Sequence, residues 1–269
     1  MQDGAPEAAT VLEARHIRRS FGAVVALQDA SLGLRRHEVH GLVGDNGAGK
    51  STFLKILSGV LAPDDGALLI DGAEVALRRA QDAMDAGIET VYQDLALVDT
   101  MTAYQNVYLG REELARNPLA RFLNLVDDRR MRSRAREVLD ALAVKIPSID
   151  VTVRGMSGGQ RQCLAIARAV LWGRRIVILD EPTAALGVRE TEQVLEVIRD
   201  LRRHEVSVIV VSHNMQQLMS IADRITVMRL GRTIATRVVK DTAPAEIVGL
   251  ITGAIAGDAR AEAQEAQPA

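Results

Sequence analysis

Gly44-Asp45-Asn46-Gly47-Ala48-Gly49-Lys50-Ser51-Thr52 is the stretch that decides the fold. It matches the phosphate-loop pattern G-x-x-x-x-G-K-[ST], which is informative only between a strand and a helix. Both flanks are present: Glu38 to Val43 reads as a buried strand, and Phe53 to Leu57 continues as an apolar helix. The glycines let the chain turn tightly and aim successive N–H groups into one concave anion site. The helix start adds the positive end of its dipole. Lys50 supplies a mobile cation for the outer phosphates. The Ser51 hydroxyl is placed to ligate a Mg²⁺ that keeps phosphate oxygens and water as its other ligands. The stretch predicts a site for a nucleoside triphosphate.

Composition narrows the class. The chain has 269 residues, 48% of them hydrophobic, enough for one large domain or two small ones with a sizeable core. A net charge of -2 gives no global nucleic-acid footprint, so no nucleic-acid partner is expected. No apolar run reaches the ~18 residues that span a bilayer. The most apolar region, Leu164 to Leu179, is interrupted by Arg168, Arg174 and Arg175. Met1 to Thr10 lacks the apolar segment of a signal peptide. The single cysteine, Cys163, sits among apolar helix positions and reads as a packed thiol.

Outward from the loop, Val11 to about Ile70 carries short β-like runs, and Asp71-Gly72 is a hairpin-type turn. Ile88 to Tyr92 is a further short strand. From about 102 to 172 the pattern is mostly helical, with Val138, Leu139 and Leu142 at helical spacing between Arg130 and Leu142. Alternation then returns, with a strand at Ile176–Leu179, a helix over Val188–Arg203 and a strand over Val206–Val211. This is an α/β nucleotide-binding core interrupted in sequence by a helical subdomain. Residues 1–10 and the tail 254–269, polar and alanine-rich from about Gly257, read as disordered.

The run Ile176-Val177-Ile178-Leu179-Asp180-Glu181 is a hydrophobic strand ending in two acids, and Pro182 stops it. Ligands of open parallel sheets bind at the carboxyl ends of strands. Asp180 is therefore expected to face the nucleotide and hold Mg²⁺. Glu181, one position on, is expected to polarise an attacking water. Alone, the acidic pair reads equally as a strand cap; the phosphate loop upstream favours the catalytic role.

Between these motifs lies Met156-Ser157-Gly158-Gly159-Gln160, followed by Arg161 to Ala169. It resembles the L-S-G-G-Q signature of ABC-type ATPases, with Met156 in the leucine position, an exchange of flexible apolar side chains of similar size. Ser157, with the N–H groups of Gly158 and Gly159, opens a helix and forms a second anion site, with Gln160 completing the motif. The resemblance covers about residues 11–253, and its motifs recur in order. It implies an α/β fold with a P-loop NTPase core of ABC ATPase type, an antiparallel β subdomain and an inserted helical subdomain at about 102–172.

The same resemblance assigns further roles. Taken alone, Phe21 reads as a core aromatic; the resemblance makes it the ring that stacks on adenine. Gln93 looks like the glutamine that contacts Mg²⁺ and γ-phosphate and couples to the membrane partner. His213 looks like the switch histidine that bonds the γ-phosphate. One departure stands out: after Pro182-Thr183 the family's loop ends in Leu-Asp, and here it is Ala184-Ala185-Leu186-Gly187, without that carboxylate.

Two such domains pair head to tail in the family, the phosphate loop of one meeting the signature of the other across ATP. The implied cofactors are ATP and Mg²⁺. The implied partners are a second ATPase subunit, most simply another copy, an integral membrane permease and, through it, an extracytoplasmic sugar-binding protein. The implied location is peripheral, on the cytoplasmic face of the cell membrane. The wording of Tyr92–Val98, Asn106–Glu112 and Pro182–Val188 is similar to ATP-binding subunits of simple-sugar importers of the fructose or ribose type. Two alternatives stay open: an importer for another solute such as branched-chain amino acids, and a soluble ABC ATPase acting on nucleic acid or ribosomes.

Overall fold

The computed structural model describes residues 9–117, 122–172 and 175–258. The disorder expected of residues 1–8 and 259–269 lies outside the described residues, as does Arg174. In chain order the elements begin with β1 (Thr10–Phe21), β2 (Val24–Arg35), β3 (Val39–Gly44), α1 (Lys50–Leu57), β4 (Asp65–Ile70) and β5 (Ala73–Val75). They continue with α2 (Ala80–Asp85), β6 (Ile88–Val91), α3 (Ala103–Tyr108), α4 (Asp128–Ala141) and α5 (Gly158–Leu171). The last set is β7 (Ile176–Asp180), α6 (Val188–Leu201), β8 (Ser207–Val211), α7 (Met215–Ile221), β9 (Arg224–Arg229), β10 (Arg232–Val238) and α8 (Pro244–Thr252). The chain divides into two compact units. One comprises residues 1–90, 175–181 and 201–269; the other comprises 91–174 and 182–200.

In the first unit one sheet runs in the order β5-β4-β1-β2-β10-β9-β3-β8-β7-β6. Its centre is parallel: β3 pairs with β9 and β8, and β8 with β7. These strands read as unbroken apolar runs because both faces are buried; β7 and β8 are buried along nearly their whole length. The other end is antiparallel, with β1 between β2 and β4 and β5 at the edge. β1 and β2 have 12 residues each, longer than the short runs expected. The reason is a register shift between Ala14 and Ile17 beside the left-handed backbone of His16 (φ 50°). Such an irregularity breaks the period-2 signal into pieces.

A buried polar chain crosses the parallel centre. His40 on β3 is fully buried, with Nδ1 3.1 Å from Glu38 and Nε2 2.7 Å from the Thr226 hydroxyl on β9. A carboxylate only accepts, so the proton sits on Nδ1 and the Thr226 hydroxyl donates to Nε2. The Thr226 and Thr236 hydroxyls then meet at 2.8 Å. Burial, partly offset by the Glu38 carboxylate, keeps the His40 imidazole below its usual pKa. Residues 254–258 are described next to this unit's surface strand, with the Arg237 guanidinium gripping both Asp258 oxygens at 2.6 and 2.9 Å.

The second unit carries α3, α4, α5 and most of α6. The stripe expected between Arg130 and Leu142 begins two residues earlier, at Asp128. Asp127 caps the helix by accepting from the Arg130 N–H at 3.1 Å, and Met131, Ala135 and Leu139 form its buried face. Asn106 on α3 is fully buried yet saturated. Its Oδ1 accepts from the Val98 N–H at 2.7 Å, and its Nδ2 faces the carbonyls of Val98, Met101 and Thr102 at 3.0–3.3 Å. One side chain thus folds the whole Val98–Thr102 turn. Replacing Asn106 by Ala takes the acceptor from the Val98 N–H, while the three carbonyls keep the N–H groups of Met101, Val153 and residue 106 as donors; one buried group left unpaired costs about 1–3 kcal/mol. The expected outcome is a loss of about 1–3 kcal/mol in urea unfolding followed by circular dichroism; an unchanged midpoint would contradict it.

Candidate functional site

The phosphate loop leaves β3 at Gly44 and enters α1 at Lys50, and close packing from behind fixes it. A Cβ on Gly44 would stand 2.3 Å from the Met228 carbonyl of β9. Gly49 has φ +99°, and a Cβ there would stand 2.7 Å from Leu27 and 2.9 Å from the Ala26 carbonyl. Only glycine accepts both the approach and the left-handed backbone. The Gly231 N–H donates to the Ala48 carbonyl at 3.0 Å, so the β9–β10 turn braces the loop. In front, Asp45, Asn46 and Gly47 are exposed, and a Cβ on Gly47 would meet nothing within 4 Å. Ser51 is exposed, Thr52 partly so, and Phe53, Leu54, Ile56 and Leu57 of α1 are buried.

Lys50 is folded back over its own loop. Its Nζ donates to the Gly44 carbonyl at 2.6 Å and to the Asp45 carbonyl at 3.0 Å. Burial lowers the Lys50 pKa, opposed by the charges of Glu181, Asp45 and Asp180. The same neighbourhood raises Asp180, through burial first and the adjoining Glu181 second, with Lys50 and Lys55 pulling the other way. The end of β3 and the end of β7 therefore share one electrostatic site. That follows from topology: β3, β8 and β7 are parallel neighbours, Asp180 lies opposite Val211, and the carboxyl ends of all three strands fall on one edge.

Glu181 follows β7 in the left-handed region (φ 50°), which is uncommon for a residue with a side chain. Its N–H donates to the Val211 carbonyl at 2.9 Å. Its carboxylate oxygen lies 2.8 Å from Nδ1 of His213, which follows β8. The carboxylate is largely covered and the imidazole is 76% exposed, so the histidine faces outward with its inner nitrogen held. His213 also lines an open cleft of about 570 Å³ with Gly44, Asp45, Asn46, Ser212 and Met215. The structure brings together Gly44–Thr52, Asp180, Glu181 and His213.

Phe21, at the end of β1, is 48% exposed and carries the Arg19 guanidinium 5.1 Å from its ring centre, so it is no core residue. It sits in the β1–β2 hairpin, whose Ala26 carbonyl abuts Gly49. Gln93 follows β6, exposed, in the second unit. The segment after it is pinned by Arg168, whose guanidinium donates to the carbonyls of Leu95 and Ala96 at 2.9 and 3.0 Å. In the sequence Arg168 reads only as an interruption of an apolar run.

The signature lies in the second unit and is built as a helix cap. Ser157 is the N-cap of α5: its hydroxyl accepts from the Gln160 N–H at 3.4 Å, and the Gln160 side chain accepts from the Ser157 N–H at 3.0 Å. Met156 is buried, which is all the leucine position requires. Cys163 is buried deeper in α5, and burial pushes its thiol up to about 12. A group missed from the sequence joins here. Glu190, in the first turn of α6, accepts from the Gly187 N–H and packs against Gly159, and its polar neighbours Ser157, Gly187 and Gly159 hold its carboxyl below the usual range. The Gly187 bond measures 3.3 Å. A Cβ on Gly159 would stand 2.8 Å from that of Glu190, so the signature glycine is what admits α6.

ATP fits the first unit. The open front of the loop, its cornered N–H groups and the Lys50 amine match a polyphosphate. Comparison with known proteins agrees. The sequence profile described as ABC transporter matches residues 27–184. The chain is similar to the xylose/arabinose import ATP-binding protein XylG of Sulfolobus acidocaldarius, 42% identical over 90% of this chain and 94% of that one. It is also similar to the fructose import ATP-binding protein FrcA of Rhizobium meliloti, 41% identical over 91% and 94%. Among solved structures, an ATP-binding cassette of an ABC transporter in its ADP conformation shares the fold. It has a TM-score of 0.76 at 22% identity, over 90% of this chain and 95% of that one. Lys50→Ala is expected to weaken binding of a fluorescent ATP analogue or to abolish phosphate release. Wild-type affinity together with wild-type turnover would remove Lys50 from the site. A phosphate loop, an acid-ended β7 and a capped signature helix, carried over most of the length of such relatives, place this chain in the ABC transporter family as an ATP-binding, ATP-hydrolysing subunit.

Proposed function

We propose that the chain energises import of a simple sugar, as a peripheral subunit on the cytoplasmic face of a membrane permease that receives sugar from an extracytoplasmic binding protein. The observation that carries the reading is the convergence of Lys50, Asp180, Glu181 and His213 on one edge of the parallel sheet. The passenger is inferred from relatives named for xylose/arabinose and fructose import, each matched over 94% of its length. Among the described residues no helix is long and apolar enough to cross a membrane.

In this reading the N–H groups of Gly44–Thr52 and the Lys50 amine hold the phosphates, and Phe21 stacks on the adenine. Ser51 and Asp180 of the first unit offer hard oxygen donors that would suit Mg²⁺, which if bound would neutralise charge on the outer phosphates. Glu181 accepts the proton of the attacking water as that water's oxygen bonds to the γ-phosphorus. The bond from the γ-phosphorus to its bridging oxygen breaks, leaving ADP and phosphate. His213 orients the Glu181 carboxylate through Nδ1 and turns its outer nitrogen to the γ-phosphate. A second subunit supplies Ser157, Gly158, Gly159 and Gln160 from its own α5. Support comes from a solved cassette dimer in a post-hydrolysis state bound to ADP and Pi, similar in fold at a TM-score of 0.68 and 24% identity.

The test is reconstitution with the cognate permease and binding protein in liposomes. ATP hydrolysis is expected to rise when a pentose or hexose is supplied. Glu181→Gln is expected to bind ATP yet turn over at least ~100-fold slower, the scale of a lost general base. Stimulation by amino acids and not by sugars would overturn the passenger. Wild-type turnover by Glu181→Gln would place the base elsewhere.

A further inference from the structure

The opposite end of β3 carries a charge that nucleotide chemistry does not use. Within the first unit, an open cleft of about 520 Å³ lies where β3 and β9 begin. Five arginine and lysine side chains line it against two carboxylates, in a chain whose net charge is -2. Both carboxylates already have partners. Glu38 is buried, accepts from the Arg35 N–H at 2.6 Å and lies 3.1 Å from His40 Nδ1. Asp223 accepts from the Val39 N–H at 2.9 Å and from Arg202 at 2.6 Å. Arg36 is drawn out of the cleft to Asp71. Leaving it aside, four cations face two acids, an excess of two positive charges. Arg224 spends Nη1 on the Gly33 carbonyl at 3.1 Å and on Glu38 at 3.4 Å, and its side chain is only 19% exposed. Lys240 is exposed at the rim, and its amine bonds to no group among the described residues. Val238 and Ala222 give the cleft an apolar wall.

We propose that this cleft binds a small organic phosphate, with the phosphate dianion among Arg202, Arg224 and Lys240 and the carbon body against Val238 and Ala222. A guanidinium fork matches phosphate oxygens two at a time, and an ammonium adds a compact charge beside it. A concave basic surface concentrates the field that draws an anion in. The volume suits a small ligand, and an excess of two positive charges balances one dianion. The nucleotide site is elsewhere: β3 reaches the phosphate loop at Gly44, five residues and about 17 Å of extended chain beyond Val39. The assignment is independent of the passenger and of the ATPase dimer.

Calorimetric titration of the full chain saturated with ADP and Mg²⁺, so that the phosphate loop is filled, tests this. Phenyl phosphate and inorganic phosphate are the probes, in mildly alkaline buffer where both are dianions. Phenyl phosphate is expected to bind saturably and about tenfold more tightly than inorganic phosphate, because only its ring gains the apolar wall. Lys240→Gln is expected to weaken it about tenfold, the scale of one charged contact. Lys145→Gln, which removes the same charge from an exposed position in the other unit, is expected to leave it unchanged. Fluorescent ATP binding by each ADP-free variant checks folding. Absence of saturable phenyl phosphate binding overturns the site. Equal affinities in the two lysine variants overturn its location. Inorganic phosphate binding as tightly as phenyl phosphate overturns the organic class.

Discussion

The backbone turn from β3 into α1 is the constraint on which the rest depends. It gathers N–H groups that cannot all be paired within the chain, and buried or cornered donors without acceptors are expensive. The turn persists because two close approaches hold it, Gly44 under the Met228 carbonyl and Gly49 under the Ala26 carbonyl. Those approaches need β9 and β2 in register behind the loop. Because β8 and β7 run parallel to β3, the same sheet delivers His213, Asp180 and Glu181 to the edge where the loop opens. The antiparallel strands and the buried His40–Thr226–Thr236 chain serve that register.

A second regularity links the reactive groups: each is bonded inside the chain before a ligand arrives. Lys50 holds the carbonyls of Gly44 and Asp45, Glu181 holds His213, and Ser157 holds Gln160. Exchange of its carbonyl partners for phosphate lets the Lys50 amine enter the site without ever standing unpaired. It also makes assembly selective, since only a ligand that out-competes several internal acceptors at once completes it. The departure at Gly187 then has a physical setting, because the nearby loop still presents a carboxylate, carried by α6.

Much of this was legible in the residues. The apolar runs of β3, β7 and β8 are buried on both faces, so their composition alone marks them, and the phosphate loop and signature are local caps whose chemistry is written in consecutive positions. What the sequence hid is non-local. β1 and β2 read as fragments because their bulges interrupt alternation. Glu190 reads as one more surface acid on an amphipathic helix, and only the fold shows that Gly159 lets α6 close on the signature. Arg168 reads as a polar interruption of an apolar region and Asn106 only as the start of a resembling segment, yet they hold the backbone of Leu95–Thr102 that follows Gln93. Asp258 reads as part of a disordered tail because its partner, Arg237, lies in a strand that local pattern did not reveal.

The central claim is that one chain's phosphate loop works with another chain's signature. The most direct measurement mixes two inactive variants, Lys50→Ala, which spoils the loop, and Ser157→Arg, which fills the signature. Mixed dimers contain one interface with both halves intact. The account predicts ATP hydrolysis in the mixture where neither variant alone shows it, rising and falling with the ratio of the two. A mixture as inactive as its components, with both variants folded and dimerising, would contradict it.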